Sequence, residues 1–197
     1  MIINSTRLIG CPVLSLHVGG QIASVTELII DPNTLKLIAC RVDGPLVGKE
    51  MGEILPMESV REFSRLGMIV DSGDELVGAE DIVRIKQVIE LDFSLVGLKV
   101  ETKKGNKLGK VIDCTLIAED WQVHQLVVHR PVIKSLIDPE LLVSRGEIAE
   151  VTDYKVIVKD AERKASAKAD KPADFVPNFI NPFREPDFAS ENKLDQQ

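Results

Sequence analysis

Four stretches of this chain recur in the same order at a nearly constant distance, and that internal repeat limits the fold more than any other feature. Leu8-Ile9-Gly10-Cys11-Pro12-Val13 matches Leu95-Val96-Gly97-Leu98-Lys99-Val100 at an offset of 87. Gly19 to Val25 matches Gly105 to Val111, and Leu37 to Val42 matches Val123 to Val128, both at 86. Met68-Ile69-Val70 meets Val156-Ile157-Val158 at 88. Apolar positions, turn glycines and order agree, so the chain reads as two copies of one unit.

Each copy reads as β throughout. In the first, Val13 to Leu16 is a short strand, and Gly19-Gly20 supplies the positive φ of a hairpin turn. Ile22 to Asp31 is a longer strand that stops at Asp31-Pro32-Asn33. Leu35 to Val42 pairs back, followed by Met51 to Leu55, Val60 to Ser64 and Met68 to Val70. Short strands at regular spacing predict a small barrel or sandwich. Closure removes exposed sheet edges, which favours the barrel. Between the copies, Ile82, Ile85, Val88 and Ile89 share one face of a short helix over Asp81 to Glu90. That helix is expected to cross one barrel mouth.

Gly10 to Val13, Gly19 to Val25, Ile30 to Pro32 and Ile54 to Val60 together resemble the PRC-barrel domain. The second copy keeps Gly97 to Val100 and Gly105 to Val111. It departs at Ala118-Glu119-Asp120, where the family has Asp-Pro, and at Leu142-Val143, where it has Leu-Pro. The resemblance covers residues 8–160 and implies a six-stranded barrel that docks onto partners. The family includes the cytoplasmic domain of the photosynthetic reaction-centre H subunit and the C-terminal domain of a ribosome maturation factor. Two units in tandem match neither arrangement, and these motifs speak to fold more than to activity.

Charge and composition narrow the function. The net charge is −7 and aromatics are 4% of the chain, so the core is built from Ile, Val and Leu. The tail from Ala161 holds 6 basic and 7 acidic residues, so the acidity belongs to the body. This overall field opposes direct nucleic-acid binding, which is driven by phosphate contacts, although it leaves room for a local basic patch. The first residues carry no targeting signature, and no apolar run reaches membrane-spanning length, which points to the cytoplasm. Cys11, Cys40 and Cys114 are odd in number and widely spaced, as expected of small buried hydrophobes.

Signals for chemistry are weak. Gly44 to Lys49 and Gly105 to Lys110 each miss the phosphate-loop spacing by one residue. His17, His124 and His129 form no metal-binding cluster with the cysteines, and there is no Gly-x-Ser-x-Gly elbow. Asp74-Glu75, Glu80-Asp81 and Glu119-Asp120 read as solvated loop charge rather than acid–base pairs. No catalytic residue, metal or cofactor is expected.

The last stretch breaks the pattern. Residues 161–170 are a charged, Ala-rich linker. Lys171 to Phe188 holds four prolines, which forbid regular structure, and four of the chain's six phenylalanines. Disordered tails are poor in aromatics, so Phe175, Phe179, Phe183 and Phe188, with Asn181 and Pro182, are the candidate contacts to a partner or to the chain's own barrels.

The expectation is thus a mainly all-β protein. Residues 1–78 and 93–160 form two tandem six-stranded PRC-like β-barrels, joined by a helix within 79–92 and followed by a disordered tail, 161–197. Its expected role is a non-catalytic cytoplasmic adaptor that binds protein partners, with self-association left open. The alternative is a ribosome maturation or RNA-processing accessory factor docking on a ribosomal protein.

Overall fold

Runs rich in Val, Ile and Leu, punctuated every few residues by Gly, Pro and Asp, can satisfy their backbones only as short strands linked by turns. The computed structural model describes residues 1–130 and 139–160 and is mainly β. The first copy contributes β2 (Pro12–Ser15), β3 (Gly20–Asp31), β4 (Lys36–Asp43), β5 (Ile54–Pro56), β6 (Glu62–Ser64) and β7 (Gly67–Val70), after a short β1 (Ile2–Asn4). The second contributes β8 (Lys99–Thr102), β9 (Lys107–Ile117), β10 (Gln122–His129), β11 (Glu140–Ser144), β12 (Ile148–Val151) and β13 (Lys155–Val158). One helix, α1 (Val83–Glu90), lies between them.

The two copies share one topology. Their strands run β5-β4-β3-β2-β7-β6 and β11-β10-β9-β8-β13-β12. In both, the pair formed by the first and last strands of the copy, β2–β7 or β8–β13, is parallel and the other pairs are antiparallel. No ladder joins β5 to β6 or β11 to β12, so each six-stranded path is open. The repeat extends to single backbone bonds. Gly10 N–H donates to the Val25 carbonyl at 2.7 Å and Gly97 N–H to Val111 at 2.8 Å. Gly10 and Gly97 adopt φ of 78° and 98°, a region a side chain rarely enters, which explains glycine at both turns.

The copies join through the tips of their long hairpins. Lys36 on β4 stands opposite Gln122 on β10. Leu37 N–H donates to the Trp121 carbonyl and Val123 N–H to the Leu35 carbonyl, each at 2.9 Å. Leu35 and Trp121 are equivalent positions of the repeat, and both hold a left-handed backbone, with φ of 52° and 58°. The exchange is therefore a pseudo-two-fold contact. Side chains reinforce it: Gln122 Nε2 donates to the Thr34 and Leu35 carbonyls, both at 2.7 Å, and Arg145 Nη2 donates to Thr34 at 2.8 Å.

Each hairpin tip also packs on the other copy. Trp121 is buried and meets Phe63 of β6 edge to face, with centroids 5.6 Å apart. Leu35, likewise buried, faces Ile148, Ala149 and Val151 of β12 across a cleft. One continuous apolar cluster runs through both copies, from Val13, Val25 and Leu55 to Val100, Leu126 and Val143. Residues Met1–Ala161 accordingly make one compact unit.

The segments that lead into each copy cross over as well. β1 pairs not with its own copy but with β9, and buries Ile3 there. Ser5 and Thr6 hydroxyls then donate to the Asp113 carboxylate, at 2.5 and 2.9 Å. In the other direction, α1 precedes the second copy and packs on the first. It does not cross a barrel mouth. Ile85 and Val88, flanked by Ile82 and Ile89, cover Ile29, Ala39 and Ile54 on the outer face of β3, β4 and β5. Those residues alternate with inward neighbours such as Cys40 and Leu55, so they would face water if the helix were elsewhere.

Asp31 fixes the helix. Its carboxylate, almost fully buried, accepts from Arg84 Nη2 at 2.8 Å and from Asn33 N–H at 2.9 Å. Burial pushes this carboxyl up, but the Arg84 guanidinium and the Asn33 amide outweigh it and hold the group below its ordinary value.

Two outcomes follow from this packing. Trp121→Ala is expected to lower the unfolding free energy by about 3 kcal/mol or more, measured by urea denaturation; a loss of under about 1 kcal/mol would show that the tip is not buried as described. Because Asp31 is depressed in the folded state, its contribution is present above the unfolded carboxylate value of about 4 and is lost as pH falls through the folded value. The melting-temperature gap between the native chain and Asp31→Asn should therefore be largest near neutrality and shrink on acidification; a gap independent of pH would contradict the assignment.

Candidate functional site

The thiols are held inside the fold. Cys11, Cys40 and Cys114 are all buried and unbridged. Burial raises all three thiols, Cys114 to about 11 and Cys40 further, beside the Met57 sulfur at 3.6 Å. A thiol held protonated is a poor nucleophile. Among the described residues no three His, Cys, Asp or Glu side chains converge as a metal site.

The acidic pairs have structural work. The Asp74 carboxylate accepts from the Ser72 hydroxyl at 3.3 Å, Asp81 accepts from Gly78 N–H at 2.6 Å, and Glu80 pairs with Lys86. Asp120 accepts from Gln122 N–H at 3.0 Å, and Glu119 pairs with the Met1 amine. The second hairpin keeps the backbone bond of the first, Trp121 N–H to the Ile117 carbonyl at 2.7 Å against Leu35 N–H to the Asp31 carbonyl at 2.8 Å, without the Asp-Pro pair.

Two clefts flank the hairpin junction. One, of about 480 Å³, runs from Pro32 and Leu35 to Arg145 and Lys159. The other, of about 350 Å³, runs from Lys36 and Met57 to Trp121. The described residues lining them include no Ser, Cys or His.

The outer face of the second copy is different in kind. Register places Lys155 of β13 beside Lys99 of β8, Lys99 beside Lys110 of β9, and Lys110 beside His129 of β10. Residues opposite one another on neighbouring strands share a face, so these four form one row across the sheet. Val156, Val100, Val111 and Val128, next to them in sequence, are buried, which puts the row outside. Lys99, Lys107, Lys110 and His129 are exposed and rim a cleft of about 420 Å³ that includes Ile112. Lys155 pairs with Glu101 at 3.2 Å; Glu101 also stands opposite Lys107 and lines the same cleft, whereas Lys99, Lys107 and Lys110 form no ion pair among the described residues. Gly109 allows the close packing beneath: a Cβ there would lie 1.9 Å from the His129 carbonyl oxygen.

The first copy lacks this row. Its equivalent positions are Gly67, Pro12, Ser24 and Asp43. Residues 1–78 carry 6 basic and 10 acidic side chains and residues 93–160 carry 10 of each, so the copies differ in charge as well as in face. The lysines between residues 99 and 110 are visible in the sequence, but which of them share a face depends on strand register and on the bulge at Val100/Glu101.

The sequence-derived contacts Phe175, Phe179, Asn181, Pro182, Phe183 and Phe188 lie outside the described residues. No helix among the described residues is long and apolar enough to cross a membrane. No protein-family model matches the chain, and no curated protein matches it significantly.

The burial of the thiols has a direct consequence. In the folded protein a disulfide-exchange reagent such as DTNB should titrate no thiol within minutes, and all three should react in denaturant. Rapid modification of Cys40 or Cys114 without denaturant would contradict the packing.

Proposed function

We propose that this protein is a non-catalytic adaptor that docks protein partners. The observation that carries this reading is a repeated scaffold whose two outer faces have diverged: a row of three lysines and a histidine on one copy, neutral and acidic residues on the other. Duplicated folds locked into one unit hold such faces at a fixed separation, which suits a platform for more than one contact.

In this reading each copy is a small PRC-like barrel left open between its fourth strand and the next. Chain connectivity supports the curvature. Pro56 and Glu62 are six residues apart, so they lie within roughly 20 Å even when extended. A flat sheet of six strands would separate its edges by about 24 Å, so β5 and β6 must approach each other, and the Trp121 tip packs beside that gap. The tail supplies a second contact through Phe175, Phe179, Phe183 and Phe188, anchors of a kind that hot spots favour.

The junction clefts carry no Ser, Cys or His among their lining residues, which favours docking over nucleophilic catalysis of the hydrolase kind. Affinity capture from the source cells with the full chain and with a chain ending at residue 170 tests the adaptor role. The expected result is stoichiometric protein partners, of which a subset is lost with the tail. Recovery of the bait alone would reject the adaptor reading, and an identical partner set would reject the role of the tail.

A further inference from the structure

We infer that the Lys155–Lys99–Lys110–His129 row is a docking surface for an acidic polypeptide segment. This deepens the adaptor reading, on which it rests. The row has a cost for the fold that one carboxylate, Glu101, offsets only at Lys155. Like charges directly opposite on neighbouring strands are destabilising, and Lys99 and Lys110 are such a pair; the Glu101 carboxylate in the same cleft is paired with Lys155, and neither Lys99 nor Lys110 forms an ion pair among the described residues. The scaffold does not require lysine there, since the equivalent row of the first copy is Gly67, Pro12, Ser24 and Asp43. A ligand that brings negative charge removes the repulsion on binding.

The shape of the surface selects among anions. The row crosses three interstrand steps, about 14 Å in all. Acidic side chains limit it: Glu101, on β8 beside Lys99, is paired to Lys155, and Glu140 stands opposite His129 at the β10 end. A phosphate backbone continues past such limits and would meet a protein of net charge −7. A short acidic peptide can end where the row ends. Between the lysines, Ile112 is 41% exposed and floors the cleft together with the lysine methylenes, so an apolar or aromatic side chain among the acids fits as well.

Binding of a fluorescein-labelled twelve-residue peptide, rich in Glu with two Phe, to the full chain is measured by fluorescence anisotropy. A single-stranded RNA of twelve nucleotides serves as the comparison probe. The expected result is salt-sensitive peptide binding that weakens at least about tenfold in Lys99→Glu/Lys110→Glu and is unchanged in Ser24→Glu on the first copy. Lys99→Gln/Lys110→Gln covers the case in which reversal disturbs folding: it should also weaken binding while raising the melting temperature, because the cross-strand repulsion is gone. Peptide binding that survives both double variants overturns the inference. So does tighter binding of the RNA through the same lysines, or no peptide binding at all. If partners are still captured from cells in that last case, the adaptor reading stands and only this surface is rejected.

Discussion

Two backbone hydrogen bonds, Leu37 N–H to the Trp121 carbonyl and Val123 N–H to the Leu35 carbonyl, set the arrangement of everything else in this molecule. They can form together only if both long hairpins present the same geometry at their tips. That geometry places Leu35 and Trp121 in a left-handed backbone, where non-glycine residues are strained by about 1–3 kcal/mol each. Burial of the two side chains against the opposite copy offsets the strain, since a large apolar side chain contributes a comparable amount when removed from water. Strain, hydrogen bonds and burial thus belong to one contact. The crossed placement of β1 on β9 and of α1 on β3 then braces the pair from outside.

Much of this was legible in the residues. The repeat offsets located four matching strands in each copy, because buried positions and turn glycines recur wherever the same backbone must be built. The helix was found from Ile82, Ile85, Val88 and Ile89, whose spacing suits only a helical face. Its docking place was not, since the outward apolar residues Ile29, Ala39 and Ile54 are ordinary strand residues until the alternation along β3 and β4 is known. β1 escaped notice for a related reason. Three residues show no periodicity, and the pairing of Ile2–Asn4 with Thr115–Ile117 is a contact across more than a hundred residues. The loss of Asp-Pro in the second copy read as divergence, yet the backbone bond of the turn is kept, and Asp120 accepts from Gln122 N–H from a position three residues later in the repeat.

The functional surface was less legible, because lysines at 99, 107 and 110 become a patch only through register, and residue 129 joins them from a separate strand. The same lysines spread around a helix would be an unremarkable solvated face. A duplicated fold makes the contrast informative: both copies solve the same packing problem, so differences confined to their outer faces are free of the core's demands. That is where selection for partners can act, and it is where these copies differ most in charge.

Amide hydrogen exchange at Leu37 and Val123, followed by NMR on the full chain, tests the locking of the two copies most directly. If the reciprocal bonds hold one cooperative unit, both amides exchange only through global unfolding, as slowly as the buried strand amides of Cys40 and Leu126. Exchange at Leu37 and Val123 through a lower-energy opening, while Cys40 and Leu126 stay protected, would mean that the copies separate without unfolding and would contradict the account.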